Sequence, residues 1–209
     1  MRFVTEMTGG DGQTSLNDLR STTFEDDAAR EFRFNSTTQR NQKTTETTVG
    51  EARRDTNGIK IDLKQPRKGN AEIAGRVYFP IEHSAALIVA AREGRTSLKA
   101  DIFDGSEKGE KVYETSAIIG GKRAAGTNTG LPAAKGSEPL NQLPAWPVTI
   151  SYYERGSSER QDAVPVYELG FLYFENGVSR RLVIDYGDFA IKGELTEITF
   201  LESARCTRR

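Results

Sequence analysis

The feature that most constrains the fold is a series of apolar, β-branched and aromatic segments in the last third of the chain. The segments are Trp146 to Tyr153, Val164 to Phe174, Val178 to Tyr186 and Phe189 to Leu201. Val, Ile, Tyr, Phe and Thr favour extended strands, and short Gly- or Asn-containing turns between such segments are typical of antiparallel sheets. Asn176-Gly177 joins two of them and predicts a type I′ hairpin turn, since both residues accept positive φ angles.

The second of these strands is apolar on both faces. Its alternation places Val166, Leu172 and Phe174 on one face and Tyr167, Leu169, Phe171 and Tyr173 on the other. A strand of this kind needs cover on both sides, whereas the following strand has one polar face. The pattern favours a curled or layered sheet.

Residues 1–64 predict an antiparallel meander with regular turns. Its strands are Arg2 to Met7, Thr14 to Phe24, Arg30 to Thr37, Gln42 to Arg54 and Ile59 to Lys64. Phe32 and Phe34 share a face of the third strand, and Ile59 to Lys64 alternates regularly. The fourth strand is rich in Thr and charge, so we expect it to face solvent or lie near an edge.

One helix is predicted, from about Ile81 to Arg92, with Pro80 in its first turn and Gly94 ending it. Its expected apolar stripe is Ile81, Ala85 and Ile88, with Leu87 and Ala91 beside it. We expect this helix to pack on the apolar face of the strand that ends at Phe174. The candidate apolar surface is therefore Tyr167, Leu169, Phe171, Tyr173 and Ile88.

The remaining segments divide into loops and two further strands. Pro66 to Arg76 predicts a loop, and Ser97 to Phe103 and Lys111 to Ile119 predict strands joined by a hairpin loop. Residues 120–144 carry Gly, Ala, Pro and Lys without periodicity, which indicates a mobile surface loop. Because the strands on both sides of this loop resemble parts of one sheet, we predict a single domain over residues 1–209.

Composition excludes several classes of protein. The 29 basic and 30 acidic residues nearly cancel, which argues against a general nucleic-acid binder. No segment has the roughly 18 apolar residues of a membrane-spanning helix. Arg2 to Met7 predicts a strand and not an export signal, so the chain is expected to begin within a sheet or to lack its beginning. The single cysteine, Cys206, fits either a free thiol or an exported protein whose second cysteine is missing.

Several short motifs together resemble one family. In chain order they are Phe24-Glu25-Asp26 with Phe32-Arg33-Phe34, Gly58 to Leu63, Phe79-Pro80 with His83, Phe103 to Glu107, Trp146 to Ile150, Tyr173 to Gly177, and Asp185 to Phe189. Their order along nearly the whole chain resembles the EipB-like cell-envelope integrity proteins, exported β proteins of Gram-negative bacteria. The resemblance implies a highly curved antiparallel β-spiral or open barrel with one packed helix. It also implies a periplasmic location and a role in envelope integrity linked to other periplasmic proteins, but no molecular activity.

The resemblance also implies features outside this chain. Family members carry an export signal and an N-terminal region with a cysteine that pairs with one near the C-terminus, which Cys206 matches. We therefore expect an N-terminally truncated sequence whose disulfide partner is absent. Ile81 stands where a helix-capping Thr is expected from the family.

Candidate chemistry is sparse. His83 is the only histidine, so any Ser-His-Asp or histidine-based metal site would require it, although a structural role is favoured. Cys206 as a nucleophile is disfavoured in a terminal tail. Asp101, Asp104 and Glu107 could bind calcium, but their spacing differs from an EF-hand and Asp-Gly is a common turn.

Two further motifs favour turns over chemistry. Gly9-Gly10-Asp11-Gly12 lacks the Lys-Ser/Thr of a phosphate loop, and Asp185 and Asp188 flank a Tyr-Gly turn where carboxylates usually cap backbone groups. No catalytic residue, metal or cofactor is predicted.

The residue patterns lead us to expect a mainly β, non-catalytic protein, and the family resemblance implies that it acts in the periplasm, where we expect it to bind a protein partner in the envelope. A carrier of a lipid or other apolar ligand is the alternative, because both faces of Tyr167 to Phe174 are apolar; a filled core remains the ordinary explanation of such a strand. A hydrolase that uses His83 is the third hypothesis.

Overall fold

A computed structural model describes residues 2–8, 14–105, 111–123, 135, 136, 138, 140, 143–160, 162–187 and 190–194. Within these ranges the chain forms thirteen strands and one helix, in agreement with the predicted mainly β class. They are β1 (Arg2–Thr8), β2 (Thr14–Glu25), β3 (Glu31–Arg40), β4 (Lys43–Arg54), β5 (Gly58–Gln65), β6 (Gly69–Ala74), β7 (Val77–Tyr78), α1 (Pro80–Arg92), β8 (Ser97–Ile102), β9 (Tyr113–Ile119), β10 (Ala145–Glu154), β11 (Tyr167–Phe174), β12 (Ser179–Asp185) and β13 (Ala190–Glu194).

The first sheet is an antiparallel meander of six strands in the order β1-β2-β3-β4-β5-β6. Alternation along β3 and β5 buries Phe32, Phe34, Ile59, Ile61 and Leu63 on one face. Phe79 and Phe103 complete this core: Phe79 stacks on Phe32 at 5.3 Å between ring centroids, and Phe103 meets Phe34 edge-on at 5.6 Å. The predicted meander and its apolar face are confirmed.

The edge position considered for the fourth strand is wrong, whereas the first four residues of the strand are exposed, as the solvent-facing alternative predicts. β4 lies between β3 and β5, not at an edge, and its second half turns Thr48, Gly50 and Ala52 into the core. Gly50 has to be small because the Phe34 ring packs directly over it. A Cβ atom built on Gly50 would lie 2.5 Å from Cζ of Phe34.

The loop predicted for Pro66 to Arg76 contains a strand. β6 pairs with β5 along its whole length, from Gly58↔Ala74 to Leu63↔Gly69. Its sequence, Gly-Asn-Ala-Glu-Ile-Ala, is poor in β-branched residues, so its propensity is low. Pairing with β5, whose alternation is strong, stabilises β6 as a strand although its own sequence has a low strand propensity.

The second sheet has seven strands in the order β13-β12-β11-β10-β9-β8-β7. β10 to β13 pair antiparallel, whereas β7 pairs parallel with β8. The hairpin between β11 and β12 differs from the predicted type I′ turn. Among the residues described there, only Gly177 has positive φ, +87°, and its N–H donates to the carbonyl of Phe174. This is a three-residue loop with the glycine in the left-handed position.

The helix is found where it was predicted, but its apolar stripe is different. Leu87, Ile88 and Ala91 are buried as expected, while Ile81 is 61% exposed and Ala85 is also exposed. His83 and Ala90 are buried instead. Alanines lie on most sides of this helix, so apolar periodicity is weak, and polar contacts of the first turn fix its orientation.

Contacts between Cα atoms divide the chain into two compact units. The first comprises Met1–Ser84, Ala100–Glu114 and Glu154–Ser157, and the second Ala85–Lys99, Thr115–Tyr153 and Ser158–Arg209. Helix α1 and strands β8, β9 and β10 each contribute residues to both. The single domain over 1–209 stays a prediction.

Some predictions lie wholly or partly outside the described residues. These are the Gly9–Gly12 turn, most of the mobile loop over 120–144, and the end of the last predicted strand beyond Glu194. Within the residues that are described, no helix is long and apolar enough to cross a membrane.

Candidate functional site

His83 is buried in the first turns of α1, with 2% of its surface exposed. Its ring meets that of Tyr78 edge-on at 6.1 Å between centroids. Among the described residues, Nε2 of His83 has no hydrogen-bond partner. Burial lowers the pKa of His83 from 6.5 to about 4, so the ring is neutral at pH 7. A general base needs a neighbouring hydroxyl or acid, and neither is bonded to this nitrogen.

An ionic cluster surrounds the start of the helix. Nη2 of Arg54, on β4, donates to Oε2 of Glu82 at 2.6 Å and to the carbonyl of Val77 at 2.9 Å. Arg76 donates to the other oxygen of Glu82 at 2.9 Å. The Arg54 guanidinium also lies over the Phe79 ring, 5.0 Å from its centroid. Both side chains of the Arg54–Glu82 pair are mostly buried, so removal of either partner would leave a poorly compensated charge beside the first turn.

Glu25, at the end of β2, caps this helix. The backbone N–H groups of Ile81 and Glu82 each donate to its carboxylate at 2.8 Å. Burial raises the pKa of Glu25, as does the nearby Glu82 carboxylate, while the two N–H donors oppose the rise. A residue 56 positions earlier in the chain thus supplies the cap that the family leads one to expect at position 81.

Of the residues considered for calcium, Asp101 lies on β8 and Asp104 lies beside the turn at Gly105. The carboxylate of Asp101 forms an ion pair with Arg155 at 3.3 Å, and burial raises the pKa of Asp101. Gly105, next to Asp104, has a φ of +71°, as a turn requires. Glu107 lies outside the described residues. Over the described part of the chain, no group of three or more His, Cys, Asp or Glu side chains could hold a metal ion.

Of the other candidate residues, Asp185, Asp188 and Cys206, the structure describes Asp185. Oδ1 of Asp185 accepts a hydrogen bond from the N–H of Gly187 at 2.8 Å, which is the capping role expected for this turn. Asp188 and Cys206 lie outside the described residues, so the hydrolytic pair and the disulfide are not described.

The candidate apolar surface lies on one face of β11. Register pairs Tyr152 with Tyr167, Ile150 with Leu169, and Val148 with Phe171, so their side chains share a face. The side chains on β10 are buried, whereas Tyr167, Leu169 and Phe171 are half-buried. Leu182 and Ile184 of β12 extend the same face and are also half-buried. Burial is therefore greater on β10 than on β11 and β12.

Aromatic rings line one end of this face. Tyr152 stacks on Tyr167 at 4.5 Å between centroids, and Tyr186, which is 44% exposed, follows at 5.8 Å. At the other end Phe171 stacks on Tyr173, which is buried. Ile88 is also buried, and its Cδ1 lies 3.7 Å from the position that a Cβ atom on Gly177 would occupy. Of the five predicted surface residues, the three on β11 before Tyr173 remain accessible.

A cleft of about 500 Å³ lies at the end of α1. Its lining combines charged side chains, Arg92, Arg95, Lys122 and Glu175, with the buried apolar side chains of Ile119 and Trp146. Arg92 pairs with Glu175 at 3.0 Å.

The sequence predicted the apolar strand face but not the ionic cluster. Arg54 and Glu82 are 28 residues apart, and nothing in the local pattern of either distinguishes them from surface charges. Only the pairing of β3 with β4 and the position of α1 bring them together.

Three comparisons with known proteins agree. A family model described as EipB-like matches residues 1–202. The cell envelope integrity protein EipB of Brucella abortus is 29% identical over 204 residues, which cover 98% of this chain and 70% of that protein. The crystal structure of a beta-barrel-like protein from Brucella abortus, with a domain of unknown function, aligns with a TM-score of 0.83 and 27% identity over 96% of this chain and 80% of that chain. The resemblance drawn from the motifs is thus confirmed, and the chain belongs to the EipB-like family.

Proposed function

We propose that this chain is a non-catalytic periplasmic protein that supports cell-envelope integrity by binding a protein partner through the apolar face of β11 and β12. The supporting observation is the half-buried row of Tyr167, Leu169, Phe171, Leu182 and Ile184, which ends at the exposed Tyr186. The relationship to a protein named for envelope integrity supports the setting.

The chemistry of His83 supports a role without catalysis. A neutral, buried imidazole whose Nε2 has no partner among the described residues is poorly suited to activate a nucleophile. A His83→Gln variant is therefore expected to complement an envelope defect as well as the unchanged protein does. A loss of complementation with normal protein levels would support the hydrolase hypothesis instead.

The character of the surface favours a protein partner. Aromatic side chains supply large contact areas at little entropic cost, and they are enriched at the centres of protein interfaces. Tyr167 and Tyr186 lie at the accessible end of the face, where a partner segment could stack on them.

The test compares two exposed apolar positions in the same unit. Tyr186→Ser should abolish cross-linking to the envelope partner and complementation of a deletion strain, while the unfolding temperature changes little. Ile118→Ser, at a side chain that is 67% exposed on β9, is the matched control and should leave both unaffected. Equal behaviour of the two variants would contradict the proposed surface.

A carrier of a lipid or other apolar ligand is the second candidate. The observation that favours it is that Leu169, Phe171, Leu182 and Ile184 form a continuous apolar face that is only half-buried. Native mass spectrometry of protein isolated from the envelope distinguishes the two, since a carrier retains a bound lipid and a partner-binding protein does not.

A further inference from the structure

The opposite face of β11 carries a separate groove. By alternation, Pro147, Gly170, Leu172 and Val183 point away from the apolar surface described above. Register aligns Thr149, Gly170 and Val183 in one row across β10, β11 and β12, and Pro147 pairs with Leu172 in the next row. Because Gly170 has no side chain, it leaves a notch between its neighbours, and the resulting groove has a volume of about 280 Å³.

Two arginines border this groove. Arg123 pairs with Ala145 on the side of β10 that faces away from β11, and Arg181 lies on β12. Three strand spacings separate their backbones, roughly 14 Å, which two extended arginine side chains can span from both sides. Both line the groove and are exposed, and the strand register places Glu194 of β13 opposite Arg181.

Charge complementarity defines the ligand. Two arginines above an apolar floor suit an anionic head group, since guanidinium groups bind carboxylate or phosphate with paired hydrogen bonds. Pro147, Leu172 and Val183 are half-buried, so their accessible apolar surface can be covered by a short alkyl chain. Lys192, exposed and opposite Val183 on β13, adds positive charge to the same row.

We propose that the groove formed by Pro147, Gly170, Leu172 and Val183 binds an anionic amphiphile, with Arg123 and Arg181 holding its head group and the groove holding the first part of its alkyl chain. The volume accommodates a short chain and excludes a complete two-chain lipid. The groove lies on the opposite face of the strands from the partner surface. If no amphiphile binds in the groove, the proposed partner-binding function is therefore unaffected.

Amide NMR titration of the complete chain tests the proposal with defined probes. Octanoate or octyl phosphate should shift the resonances of Thr149, Gly170 and Val183. The probe that binds with the higher affinity shows whether the groove prefers a carboxylate or a phosphate head group. 1-Octanol, which lacks the charge, and acetate and inorganic phosphate, which lack the chain, should each bind at least about tenfold more weakly.

Variants connect binding to the two arginines. Arg123→Gln and Arg181→Gln alter exposed side chains, so both should fold, and each should weaken binding about tenfold. Arg160→Gln, at another exposed arginine of the same unit, should leave binding unchanged. Gly170→Val should fill the notch and abolish binding of the alkyl chain of the probe.

Several results would overturn the proposal. These are equal binding of octanol and octanoate, unchanged affinity in both arginine variants, or no shift at about 10 mM of either anionic probe. Sedimentation with phosphatidylglycerol vesicles separates the sources of the head group: binding to vesicles without any response to the free amphiphiles would assign the arginines to a membrane surface and reject the groove.

Discussion

His83 illustrates how burial alone determines the charge of a side chain. Its pKa falls to about 4 because the charged ring would lose its hydration on burial. In the unfolded chain the same group titrates near its ordinary value of 6.5. Between these two values the unfolded state binds more protons than the folded state, so acid favours unfolding.

The resulting prediction concerns the pH dependence of stability. The contribution of His83 is fully present above pH 6.5 and is lost as the pH falls toward 4, by about 3 kcal/mol in total. Urea unfolding between pH 4 and pH 7.5 should therefore show a smaller loss of stability at acid pH in His83→Leu than in the unchanged protein. Glu25, Asp26 and Asp55 also have shifted pKa values, but they are present in both proteins, so the difference between the two isolates His83. Parallel pH curves would show that the ring is not buried as described.

Gly50 gives a second prediction at this scale. Its missing side chain makes room for Phe34, since a Cβ would lie 2.5 Å from Cζ of that ring and 2.9 Å from the carbonyl oxygen of Asp62. Gly50→Ala should destabilise the protein by about 2 kcal/mol, and Phe34→Leu in the same chain should recover part of that loss. The matched control is Gly121→Ala, which meets no atom within 4 Å and should change stability by less than about 0.5 kcal/mol. Chemical denaturation of the four proteins measures these effects, and equal effects of the two glycine substitutions would contradict the packing.

At the scale of elements, the start of α1 depends on a distant strand. Pro80 fits the first turn, but no Ser, Thr, Asp or Asn precedes it, so the exposed N–H groups of Ile81 and Glu82 need another acceptor. Glu25 provides it through two hydrogen bonds. The end of β2 and the start of α1 should therefore be ordered together.

Glu25→Ala should destabilise the protein by about 1 to 2 kcal/mol, as the loss of a helix cap does elsewhere. Asp27→Ala is the control because Asp27 is an exposed acidic residue two positions away. Thermal unfolding followed by circular dichroism compares the two. If Asp27→Ala lowers the stability as much as Glu25→Ala does, the loss of a negative charge and not the loss of the helix cap is responsible.

Strand and helix prediction succeeded where the local pattern was strong. Alternation in Ile59 to Lys64 and the Phe32–Phe34 face predicted their burial, and Pro80 and Gly94 predicted the helix limits. The failures share a cause: β6, the central position of β4 and the orientation of α1 all depend on which segments pair or pack together. Gly50 resembles a surface residue until Phe34 is placed over it. For the candidate site, alternation predicted the apolar face of β11, whereas the arginine groove depends on cross-strand register.

At the scale of the whole molecule, the division into two compact units does not follow the boundaries of the secondary structure. Helix α1 passes from one unit to the other after Ser84, and β8, β9 and β10 are divided in the same way. Helices form and melt cooperatively because an interrupted helix loses the hydrogen bonds of the adjoining turns. If one unit unfolded alone, four elements would have to break within their length.

Calorimetry should therefore give a single unfolding transition for the 209-residue chain, with an enthalpy near 60 °C of about 150 kcal/mol. The van't Hoff enthalpy should equal the calorimetric value, as it does for a single domain. Ala85→Gly places a helix-destabilising residue at an exposed position directly after the boundary, and it should lower the transition temperature without dividing the transition. Two resolved transitions, or a van't Hoff enthalpy near half the calorimetric one, would instead identify the units as separate domains joined by shared strands and would refute the single domain predicted for residues 1–209.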